Sequence, residues 1–345
     1  MDLRELLGTE LPIIQAPMAG VQGSARAVAV SNSGGLGSLP CAVLDPQTIG
    51  EQIKAIKAQT SRPFNVNFFC HAAPAPDSDR EAAWRAALSP YYRELGIDAE
   101  SVPTGTPIVP VSPDAVAALA DSPPAVVSFH FGLPAPDVLQ QVRALGCRIV
   151  SSATTVDEAR WLEAQGVDAI IAQGLEAGGH RGMFMSDDLS RQAGTFALLP
   201  QVVRAVRVPV IAAGGIGDAR GVAAAMALGA AGVQVGTAYL LCPEATTGPL
   251  YRAALGSDAA RHTAVTNLFT GHPARAIMNR VMRELGPMNS AVPGFPAALR
   301  AVVPLRAQAE RRGSADFSAF WCGQNATGCR KIPAAALTHE LAAGL

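Results

Sequence analysis

Short apolar runs rich in β-branched residues alternate with segments of helical period along most of this chain. The runs predict strands at Pro12 to Ala16, Leu36 to Leu39, Phe64 to Phe69, Ala125 to Phe131, Arg148 to Ser152, Asp168 to Ala172, Pro209 to Ala213 and Gly232 to Tyr239. Helical patterns fill the gaps at Ser24 to Ser33, Asp45 to Gln59, Ala135 to Leu145, Thr155 to Gln165, Leu189 to Arg204 and Asp218 to Leu228. Ser24 and Asp45 are placed as N-caps, and Pro46 fits a first helical position, where its missing N–H costs nothing. Residues 70–124 break the rhythm. They are rich in Pro and Ala, carry helical patterns at Arg80 to Leu95 and Pro113 to Ala120, and are too long for a simple strand-to-helix loop, so they read as an insertion.

Parallel strands with helical crossovers form either an open doubly wound sheet or a closed barrel. Eight units favour an α/β fold of the (β/α)8 TIM-barrel type over residues 1–240. Residues 241–345 then form a mainly helical C-terminal extension, a lid that completes the active site. In such barrels the chemistry sits where strands end. The polar residues gather at those positions: Gln15, Asn67, His130, Ser152, Gln173 and Gln234.

Composition narrows the function classes. In 345 residues, 49% are hydrophobic, 16% are charged and the net charge is -1, so no basic surface invites nucleic acid or an anionic membrane. Six scattered cysteines, none in a CxxC pair, give no metal-ligand spacing, and no metal is expected. The N-terminus lacks a basic segment followed by an apolar one, and no apolar stretch is long enough to span a bilayer. A reduced cytoplasm is the default expectation.

Two features carry chemistry. The predicted strand ending at Ala172 runs into Gln173-Gly-Leu-Glu-Ala-Gly-Gly-His-Arg-Gly182, a polar, glycine-rich loop. Glycine pairs also mark the last two strands: Gly214-Gly215 follows the seventh, and Gln234-Val235-Gly236-Thr237 lies in the eighth. Either pair alone is as well explained by a tight turn. Together they occupy the two places where barrels hold phosphate, with backbone N–H groups free to approach it. No strand is followed by the G-x-G-x-x-G of a dinucleotide site.

These residues, together with Pro12-Ile-Ile-Gln-Ala-Pro-Met-Ala-Gly20, Asn65-Val-Asn67 and Ser128-Phe-His-Phe-Gly-Leu-Pro134, resemble the nitronate monooxygenase family, formerly called 2-nitropropane dioxygenase, in its class I branch. The similarity covers residues 10–285 and continues more weakly through Phe320-Trp-Cys-Gly-Gln324. It implies FMN as cofactor, bound by Asn67, Gln173, Gly178, Gly214, Gly215 and Gln234 to Thr237, with Met18 and Ala19 along the isoalloxazine. Amides suit a neutral ring, since they satisfy its carbonyls and nitrogens without adding charge. It also implies a small nitronate substrate, propionate 3-nitronate for example, oxidised with O2 to a carbonyl compound and nitrite or related nitrogen oxides.

His180 is the expected catalytic residue, able to donate to a nitronate oxygen or, when neutral, to accept the α-proton of a nitroalkane. His130 is a second catalytic candidate, balanced against a purely structural strand-end histidine. Glu176 is expected to orient the loop rather than to react. Two other activities on the same barrel compete: an FMN-dependent enoyl-ACP reductase, which shares a Glu-x-Gly-Gly-His loop, and an NAD(P)H:quinone reductase. A flavin-binding barrel without turnover is a third reading, against which an intact His180 loop argues.

Overall fold

Eleven strands and thirteen helices are placed by the computed structural model, which describes residues 2–73, 75–104 and 108–345. The strands are β1 (Ile13–Gln15), β2 (Gly37–Pro40), β3 (Phe64–Phe69), β4 (Val126–His130), β5 (Arg148–Ala153), β6 (Ala169–Gln173), β7 (Gly179–His180), β8 (Val210–Ala213), β9 (Gly232–Val235), β10 (Thr263–Thr266) and β11 (Ala274–Ile277). The first helices are α1 (Leu3–Leu7), α2 (Ser24–Asn32), α3 (Pro46–Lys57), α4 (Ser78–Leu95), α5 (Pro113–Ala117), α6 (Pro136–Ala144) and α7 (Val156–Ala164). They are followed by α8 (Thr195–Ala205), α9 (Ala219–Ala227), α10 (Pro249–Leu255), α11 (Arg280–Leu285), α12 (Ala298–Arg311) and α13 (Ala334–Ala342).

Eight of the strands pair in parallel in the order β1-β9-β8-β6-β5-β4-β3-β2. A parallel bridge between Ile14 and Leu36 joins the two edges, so the sheet closes into the expected TIM barrel. Alternation along the strands explains its two cores. One set of side chains, including Val66, Val127, Ile149, Ile170 and Val233, packs outward under the helices. The other set, including Ile14, Leu36, Val126, Val150, Ile171 and Ile211, fills the interior and meets Leu3, Leu6 and Leu7 of α1, which plugs the end away from the site.

Of the boundaries that differ from the sequence reading, three do so for a clear local reason. Ser24 is the first residue of α2, not its cap. Gly23 holds the cap position without a side chain, and the Gln52 amide oxygen of α3 accepts from the Ser24 N–H instead. The last barrel strand stops at Val235, where Gly236 turns the chain into a 3-10 segment over Thr237–Leu241. The helix placed from Leu189 begins at Thr195, after a separate 3-10 turn.

The two long excursions from the barrel are not independent additions. Within the 70–124 segment, in which positions 74 and 105–107 lie outside the described residues, α5 takes the third place in the outer helix ring, between α3 and α6. The α4 helix instead packs its Trp84, Leu88 and Tyr92 against Ala301, Val302 and Leu305 of α12, far along the chain. Residues 241–345 likewise divide. The α13 helix sits between α2 and α9 and buries Ala334, Leu337 and Leu341 in the barrel's outer core, so it is the eighth helix of the ring. The segment before it forms, with α4, a roof over the strand ends. It also contains the hairpin of β10 and β11, which the expectation of a mainly helical extension did not include. Strand β11 pairs antiparallel with β7, placing Ala274 opposite His180. The loop bearing the expected catalytic histidine is thereby stitched to the roof.

Candidate active site

A cavity of about 730 Å³ opens at the C-terminal ends of the barrel strands, within the range of small-molecule and cofactor sites. Met18, Ala19, Asn67, His130, Gln173, Gly178, His180, Gly214, Gly215, Gln234, Gly236 and Thr237 all line it, so segments far apart in sequence converge there. Val235 does not. Its side chain is buried in the outer core under the helices, which leaves only its backbone near the site, and there its carbonyl accepts from the Ala16 N–H.

The Gln173–Gly182 loop is held from within. Gln173 donates from Nε2 to the His180 carbonyl at 3.0 Å and accepts the Gly182 N–H at 2.7 Å, so most of its amide is spent on the loop itself. Arg181, fully buried, donates to the carbonyls of Gln173 and Gly174, each at 2.7 Å, and to the Gln192 side chain at 3.1 Å. No carboxylate pairs with it among the described residues, and burial lowers its pKa to about 10, which still leaves it charged at neutral pH. Glu176 accepts from Thr195 N at 2.7 Å and from Thr195 Oγ1 at 2.9 Å. It caps α8, whose own cap residue, Gly194, has no side chain. Gly178 is where the loop meets the roof: a Cβ there would lie 2.5 Å from Gly323 N.

The histidines are sorted by their partners. His130 Nε2 faces the His180 carbonyl at 3.1 Å and Nδ1 faces Ser152 Oγ at 2.8 Å. A carbonyl only accepts, so Nε2 carries the proton and Nδ1 accepts from the serine. Burial lowers the His130 pKa to about 4. With both nitrogens engaged, this histidine buttresses the loop from within the cavity lining. His272 does similar work from the roof, its Nε2 donating to the Arg181 carbonyl at 2.9 Å, and burial takes it to about 4 as well. His180 differs. Its Nε2 lies 2.9 Å from Thr270 Oγ1, while Nδ1 makes no hydrogen bond among the described residues and is not sealed off. Burial, and then the neighbouring His272, His130 and His71, push its pKa well below the ordinary value, so the ring is neutral at physiological pH.

Around His180 stands an aromatic box. Trp321, Phe295, Phe131 and Phe69 lie with ring centroids 5.3, 5.4, 5.8 and 5.9 Å from the imidazole, respectively. Phe131 reaches its place from a left-handed backbone, φ 68°, a conformation that costs a non-glycine residue energy and that clusters at functional sites.

In the same lining Gly215, φ 74°, turns the chain after β8 in a conformation natural to glycine, and Gly236 and Thr237 follow β9. A roof segment straps these turns together. Gly323 N donates to Thr237 Oγ1 at 3.0 Å, Gln324 N to the Glu176 carbonyl at 2.9 Å, and Asn325 Nδ2 to the Gly215 carbonyl at 2.8 Å. In the lining Gln234 Oε1 is buried without a partner. Asn67 spends an N–H on Ser128 at 3.0 Å and keeps its oxygen unengaged. An orphaned amide oxygen requires a donor, and a flavin ring supplies a ring N–H. The lining therefore fits FMN, since it combines neutral amides with glycine backbone.

Thr270, Phe295, Trp321, Gly323 and Asn325 were not singled out from sequence as site residues. They lie in the roof, where no strand-end rule applies. Two signals pointed there, the resemblance through Phe320 to Gln324 and the proline-marked stretch from Met288 to Leu305, expected as a pocket wall, and neither gave these residues a role. Among the described residues no helix is long and apolar enough to cross a membrane, and no group of three or more His, Cys, Asp or Glu residues could hold a metal ion.

Three comparisons bear on this arrangement. The family model "Nitronate monooxygenase" matches residues 2–344. A nitronate monooxygenase of Paraburkholderia phytofirmans is 42% identical over 98% of this chain and 93% of its own length. Among solved structures, nitroalkane oxidase from Streptomyces ansochromogenes superposes with TM-score 0.89 at 38% identity over 100% of this chain and 98% of its own. FabK from Thermotoga maritima superposes less well, with TM-score 0.72 at 27% identity over 98% and 94%.

Proposed function

The chain belongs to the nitronate monooxygenase family, and from that premise we propose that it is an FMN-dependent enzyme oxidising alkyl nitronates, propionate 3-nitronate among them, with O2 to carbonyl compounds and nitrite or related nitrogen oxides. The observation that carries the reading is the neutral His180 with one open ring nitrogen, in a cavity whose lining also offers unspent amides and glycine backbone.

In this reading Gln234 and Asn67 would hold the flavin ring, and the backbone of Gly215, Gly236 and Thr237 would hold its phosphate. FMN, when bound, supplies the electron-accepting chemistry that no side chain here offers. The chain's own residues do the rest. His180 Nδ1 meets the nitro or nitronate group, and the aromatic box packs the alkyl part and excludes water. Arg181 contributes a fixed positive charge beneath the loop that favours an anionic substrate. His130, Gln173 and β11 keep the His180 backbone from drifting.

The test is oxygen uptake by purified protein with propionate 3-nitronate and alkyl nitronates, run beside NADH and NADPH oxidation with quinones or enoyl thioesters. We expect a yellow protein that releases FMN on denaturation and turns over nitronates without a nicotinamide. Fast NAD(P)H oxidation with no nitronate turnover would transfer the activity to the reductases of the same barrel. A colourless protein that FMN does not reconstitute would remove the cofactor.

A further inference from the structure

Histidine can serve a substrate as donor or as acceptor, and which it does is fixed by what its other nitrogen touches. For His180 that contact is the Thr270 hydroxyl, 2.9 Å from Nε2. Thr270 is buried, lines the cavity, and has a second acceptor for its single proton, the His272 carbonyl at 3.5 Å. Two arrangements follow from that geometry. When the hydroxyl donates to Nε2, the imidazole proton sits on Nδ1 and points a donor at the ligand. When the hydroxyl turns to the His272 carbonyl, its oxygen accepts from Nε2–H, and Nδ1 presents a lone pair. Among the described residues no other group hydrogen-bonds the ring. Trp321, tilted by 48°, and Phe295, edge-on at 77°, pack beside the ring and make no hydrogen bond to it.

We propose that Thr270 is a positioning residue that lets His180 adopt both tautomers, so that one neutral histidine serves two substrate classes: anionic nitronates, to which Nδ1–H donates, and neutral nitroalkanes, whose α-proton Nδ1 accepts. The inference rests on the placement of His180 against substrate in the proposed function. The proton step balances within the site. The α C–H bond breaks, its electron pair stays on carbon and spreads onto the nitro oxygens, and the proton binds Nδ1 while Nε2–H remains on Thr270. The imidazolium so formed lies against the nitronate it has just produced and donates Nδ1–H to it, which is the contact an added nitronate would make. Burial disfavours a free imidazolium here, so the charged ring exists while the anion is beside it.

The deciding variants are Thr270→Val, which keeps shape and removes the hydroxyl, and Thr270→Ser, which restores it. In the valine variant an N–H at Nε2 would be buried without an acceptor, so the proton is confined to Nδ1. Nitroalkane turnover then falls much further than nitronate turnover. We expect their ratio to drop about 100-fold, the size of a general-base contribution, and to recover in the serine variant. Equal losses on both substrates would mean a merely structural role and overturn the proposal.

A second readout does not depend on turnover. With histidine 15N-labelled and the His180 signals assigned by their loss in His180→Asn, the flavin-loaded wild type should show ring nitrogens averaged between tautomers, and Thr270→Val the Nδ1–H form alone. A wild type locked in one tautomer, or a valine variant indistinguishable from it, overturns the proposal. Averaged signals that collapse in the variant, in a protein that oxidises neither substrate, would leave the tautomer device standing and remove the activity instead.

Discussion

Acidification should destabilise this protein before the carboxylates at its helix caps protonate, because its neutral histidines are walled into the site. His130 and His272 both have folded-state pKa values of about 4 against 6.5 for the free side chain, each through burial first. The folded value lies below the unfolded one, so between these limits the unfolded chain binds more protons and stability falls as pH falls. At about pH 7 the penalty is near zero. At about pH 5 each histidine costs up to roughly 2 kcal/mol, or roughly 4 for the two, a large part of a typical folding free energy of about 5–15 kcal/mol. His180 adds to this in the same direction. The stabilised carboxylates at helix caps, such as Asp45 and Asp188, have values lowered from 3.8, so their contribution is present throughout this window and is lost only below it. Urea unfolding followed by circular dichroism at about pH 7, 6 and 5 separates the two. A stability that stays flat across that range refutes the reasoning. So does a His130→Gln variant with an undiminished slope, since that change should remove a substantial share of the pH dependence.

Other expectations follow from the strap and the loop. Gly178→Ala places a methyl 2.5 Å from Gly323 N and 2.7 Å from the Cys322 carbonyl carbon. Both are backbone, so loop and roof must part, and FMN retention measured by flavin fluorescence after gel filtration should fall about tenfold or more, for overpacking of about 1–3 kcal/mol. Asn325→Ala removes the side-chain bond to the Gly215 carbonyl and should weaken FMN about five- to tenfold with little change in melting temperature, for a net hydrogen bond of about 1 kcal/mol. Arg181→Lys replaces a fork that spans two carbonyls and Gln192 with a point charge, and should cost about 2–4 kcal/mol in unfolding free energy. His180→Asn should lower nitronate turnover with FMN still bound, and unchanged kinetics would take His180 out of the chemistry.

The barrel was legible because its signals are local. Runs such as Phe64–Phe69 and Ala169–Gln173 declare themselves by burial on both faces, and the C-terminal ends of such strands are where barrel chemistry gathers, so Asn67, Gln173 and Gln234 could be placed before any coordinates. The roof was not legible because its logic is long-range. Nothing near Trp84 announces that it will pack on the helix bearing Ala301, and nothing near Thr270 announces a contact with His180. Gly23 and Ser24 show the same limit in small: the cap-forming residue is present in sequence, but α2 takes its first-turn acceptor from Gln52. For His130 the strand-end position was legible and the partners of its nitrogens were not, since Ser152 and the His180 carbonyl come from two other strands.

The position of α13 has a consequence for the order in which the molecule is made. This eighth helix of the ring follows its strand, β9, only after residues 236–333 have intervened. At about 5–20 residues per second, a ribosome needs roughly 5 to 20 s to go from the end of β9 to the end of α13. Through that interval the nascent barrel exposes the apolar groove between α2 and α9 that Ala334, Leu337 and Leu341 will cover. Strap residues 323–325 emerge only shortly before the helix that seals that groove. Chaperone capture and premature proteolysis should therefore concentrate on chains stalled between these two elements.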